Sequence, residues 1–348
     1  MDLLPDYIVP FFSLSSPTHT PTNPDSFPDS RYYKTDPKDF CLVITFIATF
    51  AILRDVLRLG VFGPFAKWKL SRDLKLSRPS AAKANGVSNG NGHSKNAFTK
   101  AERRKMSHSV RRFAEQGWSL VYYTLQWGFG LYVHRNLPTR VLDPADVWIA
   151  YPHLALAAPV KIYYLTQLAF YLHQMLVLNA EARRKDHWQM MTHHVITVFL
   201  MWGSYYYNLN RIGCLIMFLM DTSDMYFPLA KMLLYLQLPQ IFPDMMFGVF
   251  MVSWFITRHV LFLITIKSTL LDMPALLRFD WKPENGYYIT KGSHTMFILC
   301  LLALEVLQII WFSMILRIAW RVLTAGEGAS DDRSDEEGEN DNTDDKDE

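Results

Sequence analysis

Residues 193–231 read HHVITVFLMWGSYYYNLNRIGCLIMFLMDTSDMYFPLAK. Two apolar runs, each near the roughly 20 residues that cross a bilayer as a helix, flank the short polar-aromatic break around Asn208 and Asn210. Two histidines, His193 and His194, sit in the first run, and two aspartates, Asp221 and Asp224, sit in the second. Ionisable side chains at membrane depth are costly unless they pair with one another or face a polar cavity, so their presence points to a functional site. The stretch therefore predicts two membrane helices of opposite direction that bring a polar cluster into the lipid zone.

The same pattern extends outward from this pair. Half of the 348 residues are hydrophobic and 14% are aromatic, while the mean hydropathy of +0.03 is diluted by polar ends. Apolar windows of spanning length lie at Phe40–Phe65, Gln116–Val133, Ile162–Ala180, Trp188–Asn210, Ile212–Ala230, Met245–Ile266 and Thr295–Ala319. The expected fold class is all-α, a polytopic membrane protein of about seven spans. The first window is the weakest, because its uncharged core ends at Leu53 and spanning requires Arg54, Asp55 and Arg58 to snorkel near an interface. No charged start, apolar core and cleavage site mark residues 1–39 as a signal peptide, so the first span itself would serve as the targeting signal. Cys41, Cys214 and Cys300 lie in apolar runs without metal or redox spacing, which predicts packing residues and no disulfide.

Residues 67–112 carry thirteen Lys or Arg against Asp73 and Glu102, around the low-complexity centre NGVSNGNGHS. Positive loops stay in the cytosol, and the loop holding Arg183, Arg184 and Lys185 falls on the same side when the spans alternate. This places the N-terminus in the lumen and the C-terminus in the cytosol. Between spans, the natural partner of the basic segment is anionic lipid rather than nucleic acid. The last 23 residues hold twelve acidic side chains against Arg333 and Lys346, which leaves about +12 on the rest of the chain. Such a tail is expected to be disordered. It serves either as a solubilising terminus or as a regulatory segment, with Ser334 before Asp335, Glu336 and Glu337 as an acid-directed phosphorylation site.

On antiparallel neighbours, His193 and His194 would meet Asp221 and Asp224 near the cytosolic side of the midplane. The aspartates, three apart, share a face, whereas the adjacent histidines project about 100° apart, so one histidine should point at both carboxylates. A histidine held by a carboxylate suits general base catalysis or nucleophilic attack on an activated acyl group. A metal site is poorly served by adjacent histidines, and a polar cluster that only glues helices is the bland alternative. Arg258 and Glu305 are also costly in lipid, and each other or the aspartates are their natural partners. His173 reads as a packing residue. Tyr205, Tyr206 and Trp202 fit an interfacial aromatic belt, with substrate contact the sharper option for Tyr205.

The motifs HHVIT, SYYYN, Arg211-x-Gly213, MDTSD and Ala230-Lys231, with RRFAEQGW at 111–118 and RRKDHWQMMTHH at 183–194, carry a family resemblance. Together they resemble the longevity-assurance motif of the ceramide synthases, within the TLC-domain family, over roughly residues 111–322. Met220, where animal members have His before the first aspartate, is similar to the fungal form. The windows and charges mark a lumenal segment at 1–39, a first span at 40–65, a basic cytosolic linker at 66–110 and an acidic tail at 325–348, and the resemblance implies that 111–324 forms a six-helix TLC barrel. It also implies acyl-CoA-dependent N-acylation of a sphingoid base in the endoplasmic reticulum.

Fatty acyl-CoA is then a substrate, and no cofactor is implied. His193 would act as nucleophile or general base, with Asp221 and Asp224 orienting it and His194 donating to the oxyanion or holding a neighbour. Direct transfer and a double displacement through an acyl-imidazole both fit. Arg258, Lys231, Arg183, Arg184 and Lys185 are candidates for substrate binding, the basic cluster for the CoA phosphates. The expected partners are acyl-CoA, a sphingoid base, membrane lipids, a small single-span accessory subunit and a second copy of the chain. Two rivals remain, a non-catalytic TLC-domain lipid carrier or sensor and a translocon-associated membrane component.

Overall fold

Apolar helices in lipid must satisfy their backbone internally, so the chain crosses back and forth as long helices. The computed structural model describes residues 5–22, 27, 29–77, 98–180 and 186–325. Within them, nine helical segments form seven rods: α1 Asp39–Leu57 with α2 Gly63–Leu76, α3 Lys100–Asn136, α4 Ala158–Ala180, α5 His187–Tyr206, α6 Asn210–Tyr235, α7 Ile241–Trp254 with α8 Phe262–Leu276, and α9 Lys291–Ala325. Rods from Asp39–Leu76, Asn210–Tyr235, Ile241–Leu276 and Lys291–Thr324 are long and apolar enough to cross a membrane. The remaining three, α3 to α5, carry more polar side chains, including Gln126, Lys161, Gln167 and His194. The all-α polytopic expectation holds.

Successive rods alternate between two ends. One end, the linker end, gathers Leu76, Lys100, Ala180, His187, Tyr235 and Ile241; Lys69 Nζ there reaches the Leu236 carbonyl at 3.2 Å. The opposite end carries the small antiparallel sheet β1 Pro17–Thr18, β2 Tyr32–Tyr33 and β3 Leu156–Ala157, an element that sequence periodicity did not announce.

The first rod runs past the expected limit at Phe65, through a π-helical turn at Arg58–Phe62 and on to Leu76. Its charges are paired rather than only snorkelling: Arg58 meets Asp55 at 3.4 Å and Glu115 at 3.7 Å, and Glu115 also takes Arg112 at 3.1 Å. A Cβ on Gly117 would lie 2.5 Å from the Phe62 ring, so glycine permits this close approach of α3. α3 also begins well before its apolar window at Gln116, because Thr99 and Glu102 form a reciprocal capping box at its start.

At the sheet end, Lys161 is fully buried and ion-pairs with Asp39 at 2.7 Å. It also donates to the Ser15 and Lys34 carbonyls at 2.9 and 2.7 Å, tying the N-terminal segment to α1 and α4. Tyr205 completes this knot by donating to Asp39 at 2.7 Å. That corrects the expectation for Tyr205: it is buried far from the linker end and holds a carboxylate, whereas Trp202 and Tyr206 on other faces of α5 are exposed.

The turn from α5 to α6 accounts for two of the motifs. Asn208 adopts a left-handed conformation with φ of 59°, which asparagine tolerates better than most residues, and its amide donates to the Gly286 carbonyl at 3.0 Å. Three residues after Asn210, a Cβ on Gly213 would lie 1.9 Å from the Tyr164 hydroxyl. That hydroxyl bonds in turn to Ser204, so glycine lets α4, α5 and α6 converge.

Two stability outcomes follow. Lys161→Met alone strands the buried Asp39 carboxylate and should cost about 3–5 kcal/mol, while the double variant Lys161→Met with Asp39→Leu should lose markedly less, as read by thermal unfolding in detergent. Gly213→Ala should cost about 1–3 kcal/mol by overpacking against Tyr164, and Tyr164→Phe in the same chain should recover part of that loss.

Candidate active site

His193 lies about 9 Å from the start of α5 and Asp224 about 21 Å from the start of α6, given the helical rise, and the antiparallel pairing brings both to one level. A cavity of about 530 Å³ opens at the linker end and is bounded by α3 to α7 and α9. His193, His194, Asp224, Arg258, Lys231 and Tyr171 line it. A second, narrower cavity runs from His193 and Tyr171 toward the sheet end, with apolar walls that include Leu200, Ile216, Phe297 and Leu301. Trp148, Leu209, Ile212 and Met273 close its far end, and Trp148 is pinned there by a 3.0 Å hydrogen bond to Ser268. His193 and Tyr171 belong to both cavities, so the histidine stands where a vestibule that carries charged side chains meets an apolar passage.

The imidazole of His193 is held by aromatic contacts. Its ring centre is 5.2 Å from Trp311, 5.5 Å from His194 and 6.5 Å from Tyr171. Tyr171 also stands 5.8 Å from His194. The Nδ1 atoms of both histidines are buried without a protein partner among the described residues.

The two aspartates do different things, which corrects the expectation that one histidine faces both. Among the described residues, neither carboxylate hydrogen-bonds to a histidine. Asp221 is fully buried outside the cavity lining and accepts a short hydrogen bond from Gln167 on α4, whose other amide atom takes the Tyr122 hydroxyl at 3.2 Å. Asp224 faces the cavity and pairs with Arg258 at 2.6 Å. A three-residue step on a helix turns by about 300°, so the side chains diverge by some 60°, enough to send one to α4 and the other to the turn that follows α7.

Arg258 is fixed by a local feature of its own rod. A π-helical turn at Phe255–Leu261 joins α7 to α8, the kind of extra residue that often re-aims side chains at functional sites. From it, Arg258 donates to Ser223 Oγ at 2.8 Å and the Met220 carbonyl at 3.0 Å, and its guanidinium stacks 4.1 Å over Trp254. The next residue, His259, points to α9 and bonds Glu305 at 2.7 Å. Glu305 therefore pairs with neither Arg258 nor the aspartates, and sequence periodicity gave no reason to single out His259.

Lys231 lines the vestibule with its ammonium 4.5 Å from the Phe227 ring, and Arg317 and Arg321 on α9 add positive charge that sequence reasoning missed. Pro228, inside α6, is part of the cavity wall. His173 packs against Trp118 and Phe170, as a core residue would. Arg183, Arg184, Lys185 and Ser334 lie outside the described residues.

The chain is similar to known proteins along most of its length. The TLC domain matches residues 112–317. The sphingosine N-acyltransferase lag1 of Schizosaccharomyces pombe is 36% identical over 314 residues, which cover 90% of this chain and 71% of that protein. The ceramide synthase FUM18 of Gibberella moniliformis is 32% identical, covering 89% of this chain and 70% of its own length. The ceramide synthase hyl-1 of Caenorhabditis elegans is 33% identical, over 65% of this chain and 61% of that protein. With a TLC domain over more than half its length, and relatives of this identity along most of it, the chain belongs to the TLC-domain family and, within it, to the ceramide synthases, or sphingosine N-acyltransferases.

Proposed function

We propose that the chain is an acyl-CoA-dependent sphingoid base N-acyltransferase that forms (dihydro)ceramide, with transfer taking place at His193. The observation that carries this reading is the position of His193 at the junction of the vestibule and the apolar passage. A fatty acyl thioester has this same division: a polar CoA that stays in the vestibule and a hydrocarbon chain that matches the apolar walls of the passage. Its reactive carbonyl then lies beside the imidazole. The long-chain base enters from the bilayer with its amine at the same level.

The transfer needs a neutral amine, a proton acceptor and a leaving thiolate. In the direct route, the amine nitrogen attacks the thioester carbonyl and its proton passes to His193. The tetrahedral oxyanion collapses, the carbon–sulfur bond breaks, and the thiolate takes the proton from the imidazolium to leave as CoA. In the double displacement, His193 attacks first, CoA leaves, and the amine then cleaves the acyl-imidazole. Either route keeps His193 as the reacting group.

The remaining site residues take supporting roles. His194 shares the Tyr171 contact and steadies the first imidazole. Asp224 and Arg258 form a paired wall of the vestibule, and Asp221 fixes α6 to α4 through Gln167. Lys231, Arg317 and Arg321 supply cationic ground for the CoA phosphates, with Arg183, Arg184 and Lys185 as further candidates from the sequence. No cofactor enters this chemistry. The thirteen basic residues within 67–112 argue for a cytosolic linker end, hence a cytosolic C-terminus and a vestibule open to cytosolic acyl-CoA in the endoplasmic reticulum membrane. A single-span accessory subunit and self-association belong to the same expectation. A carrier without catalysis would use the passage but would have no need of the histidine at its mouth.

The test is ceramide formation from sphinganine and acyl-CoA in membranes of a ceramide-synthase-deficient yeast expressing the chain, with and without its own accessory subunit. His193→Ala should lose at least about a thousandfold in turnover, in the range of a lost acid–base group. Asp224→Ala and Asp221→Ala should act through folding as well as rate, and His194→Ala should be the mildest. Retained turnover in all four variants contradicts the site; acyl transfer with His193→Ala alone contradicts the role of that residue.

A further inference from the structure

Serine and threonine hydroxyls inside helices ordinarily donate to the carbonyl one turn back. Here Thr166, Thr222, Thr257, Thr265 and Thr269 all do so, at 2.9–3.0 Å. Thr197 does not. Its hydroxyl is buried, has no partner among the described residues, and belongs to the wall of the apolar passage. It sits four residues after His193, hence on the same face of α5 and one turn further toward the sheet end.

A second polar group lines the same passage. Gln308 on α9 is fully buried, lines the same passage, and leaves its Oε1 without a partner. Its Nε2 makes one contact, 3.6 Å to the Met220 sulfur, a weak acceptor that gives way readily. Gln308 lies one turn toward the sheet end from Trp311, the residue that touches the His193 ring. Thr197 and Gln308 therefore both stand at the mouth of the passage, on its inner side from His193, and neither lines the vestibule. Buried polar groups in an apolar channel cost stability unless something bonds to them.

We infer that Thr197 and Gln308 are catalytic residues that donate hydrogen bonds to the acyl carbonyl oxygen and hold the negative charge it gains in the transition state. This rests on the assignment of His193 as the reacting group. When the acyl chain fills the passage, its carbonyl is the only polar atom of the chain, and it arrives between these two side chains. As the amine or imidazole nitrogen adds to the carbon, the carbon–oxygen π pair moves onto this oxygen. It returns when the carbon–sulfur bond breaks, so no proton or electron is left over. The Thr197 O–H and the second Nε2 hydrogen of Gln308 are donors of the kind this needs, in a site from which water is largely excluded. Which end of the Gln308 amide faces the passage is set by rotation about one bond.

The test uses the full chain in yeast membranes, with Thr197→Val and Gln308→Met, near-isosteric changes that remove the donors. Each should lower kcat by about a hundredfold with KM for acyl-CoA within about twofold, as for loss of an oxyanion donor. Thr197→Ser should restore most of the rate. An alkyl-CoA thioether, which has the chain but no carbonyl, should inhibit wild type and variants equally. Thr197→Ala and Gln308→Leu replace either variant that fails to accumulate. Unchanged kcat in both single variants, with His193→Ala inactive, overturns the inference and leaves the site reading intact. A raised KM together with weaker thioether inhibition also overturns it, because that pattern is lost tunnel packing. Full activity in His193→Ala overturns both.

Discussion

The ion pair between Arg258 and Asp224 sets the shape of everything around the site. Neither charge could lie in a lipid-facing helix alone, and together they lock α6 against the π-helical turn between α7 and α8. Ser223 and the Met220 carbonyl take the remaining guanidinium donors, and Trp254 covers its face. Arginine suits this position because its planar, delocalised fork reaches several acceptors in one fixed geometry while its face stacks on an aromatic ring. With that wall fixed, the vestibule ends at the level of His193, and the apolar passage begins there.

The same rule governs the other charges in the membrane zone. His259 finds Glu305, and Lys161 finds Asp39. Asp221 finds a buried amide in place of a cation. Each pair fastens two or three rods, so polar side chains serve here as fasteners between helices that have little hydrophobic reason to prefer one another in lipid. His193 and His194 break the rule. Aromatic rings surround them, and no acid or amide satisfies their Nδ1 atoms among the described residues. Groups kept in lipid without such a fastening role are the ones expected to act on substrate.

Sequence made the rods and the polar cluster legible because both are written in local patterns: apolar runs of spanning length, and charges inside them. It pointed to His193 and Asp224 for the same reason. It misread where the Asp221 and Tyr205 side chains point, because that direction depends on which neighbour a helix packs against, and three residues of separation are enough to change that neighbour. Glu305 was assigned the wrong partner because a π-helical turn shifts the register of Arg258 and His259, and no residue type announces such a turn. Thr197 was in plain sight within HHVIT. Its meaning came only from the missing hydrogen bond to the preceding turn, and that of Gln308 from a helix more than a hundred residues away.

The central claim is that an acyl chain threads the apolar passage with its carbonyl at His193. Photolabelling with two acyl-CoA probes tests it directly, one with a diazirine beside the carbonyl and one with a diazirine at the chain terminus, each mapped by peptide mass spectrometry. The first probe should label the neighbourhood of His193, Tyr171 and Thr197, and the second the far end around Trp148, Ile212 and Met273. Labelling of lipid-facing residues such as Val249, Leu299 or Ile309 by the terminal probe would contradict it.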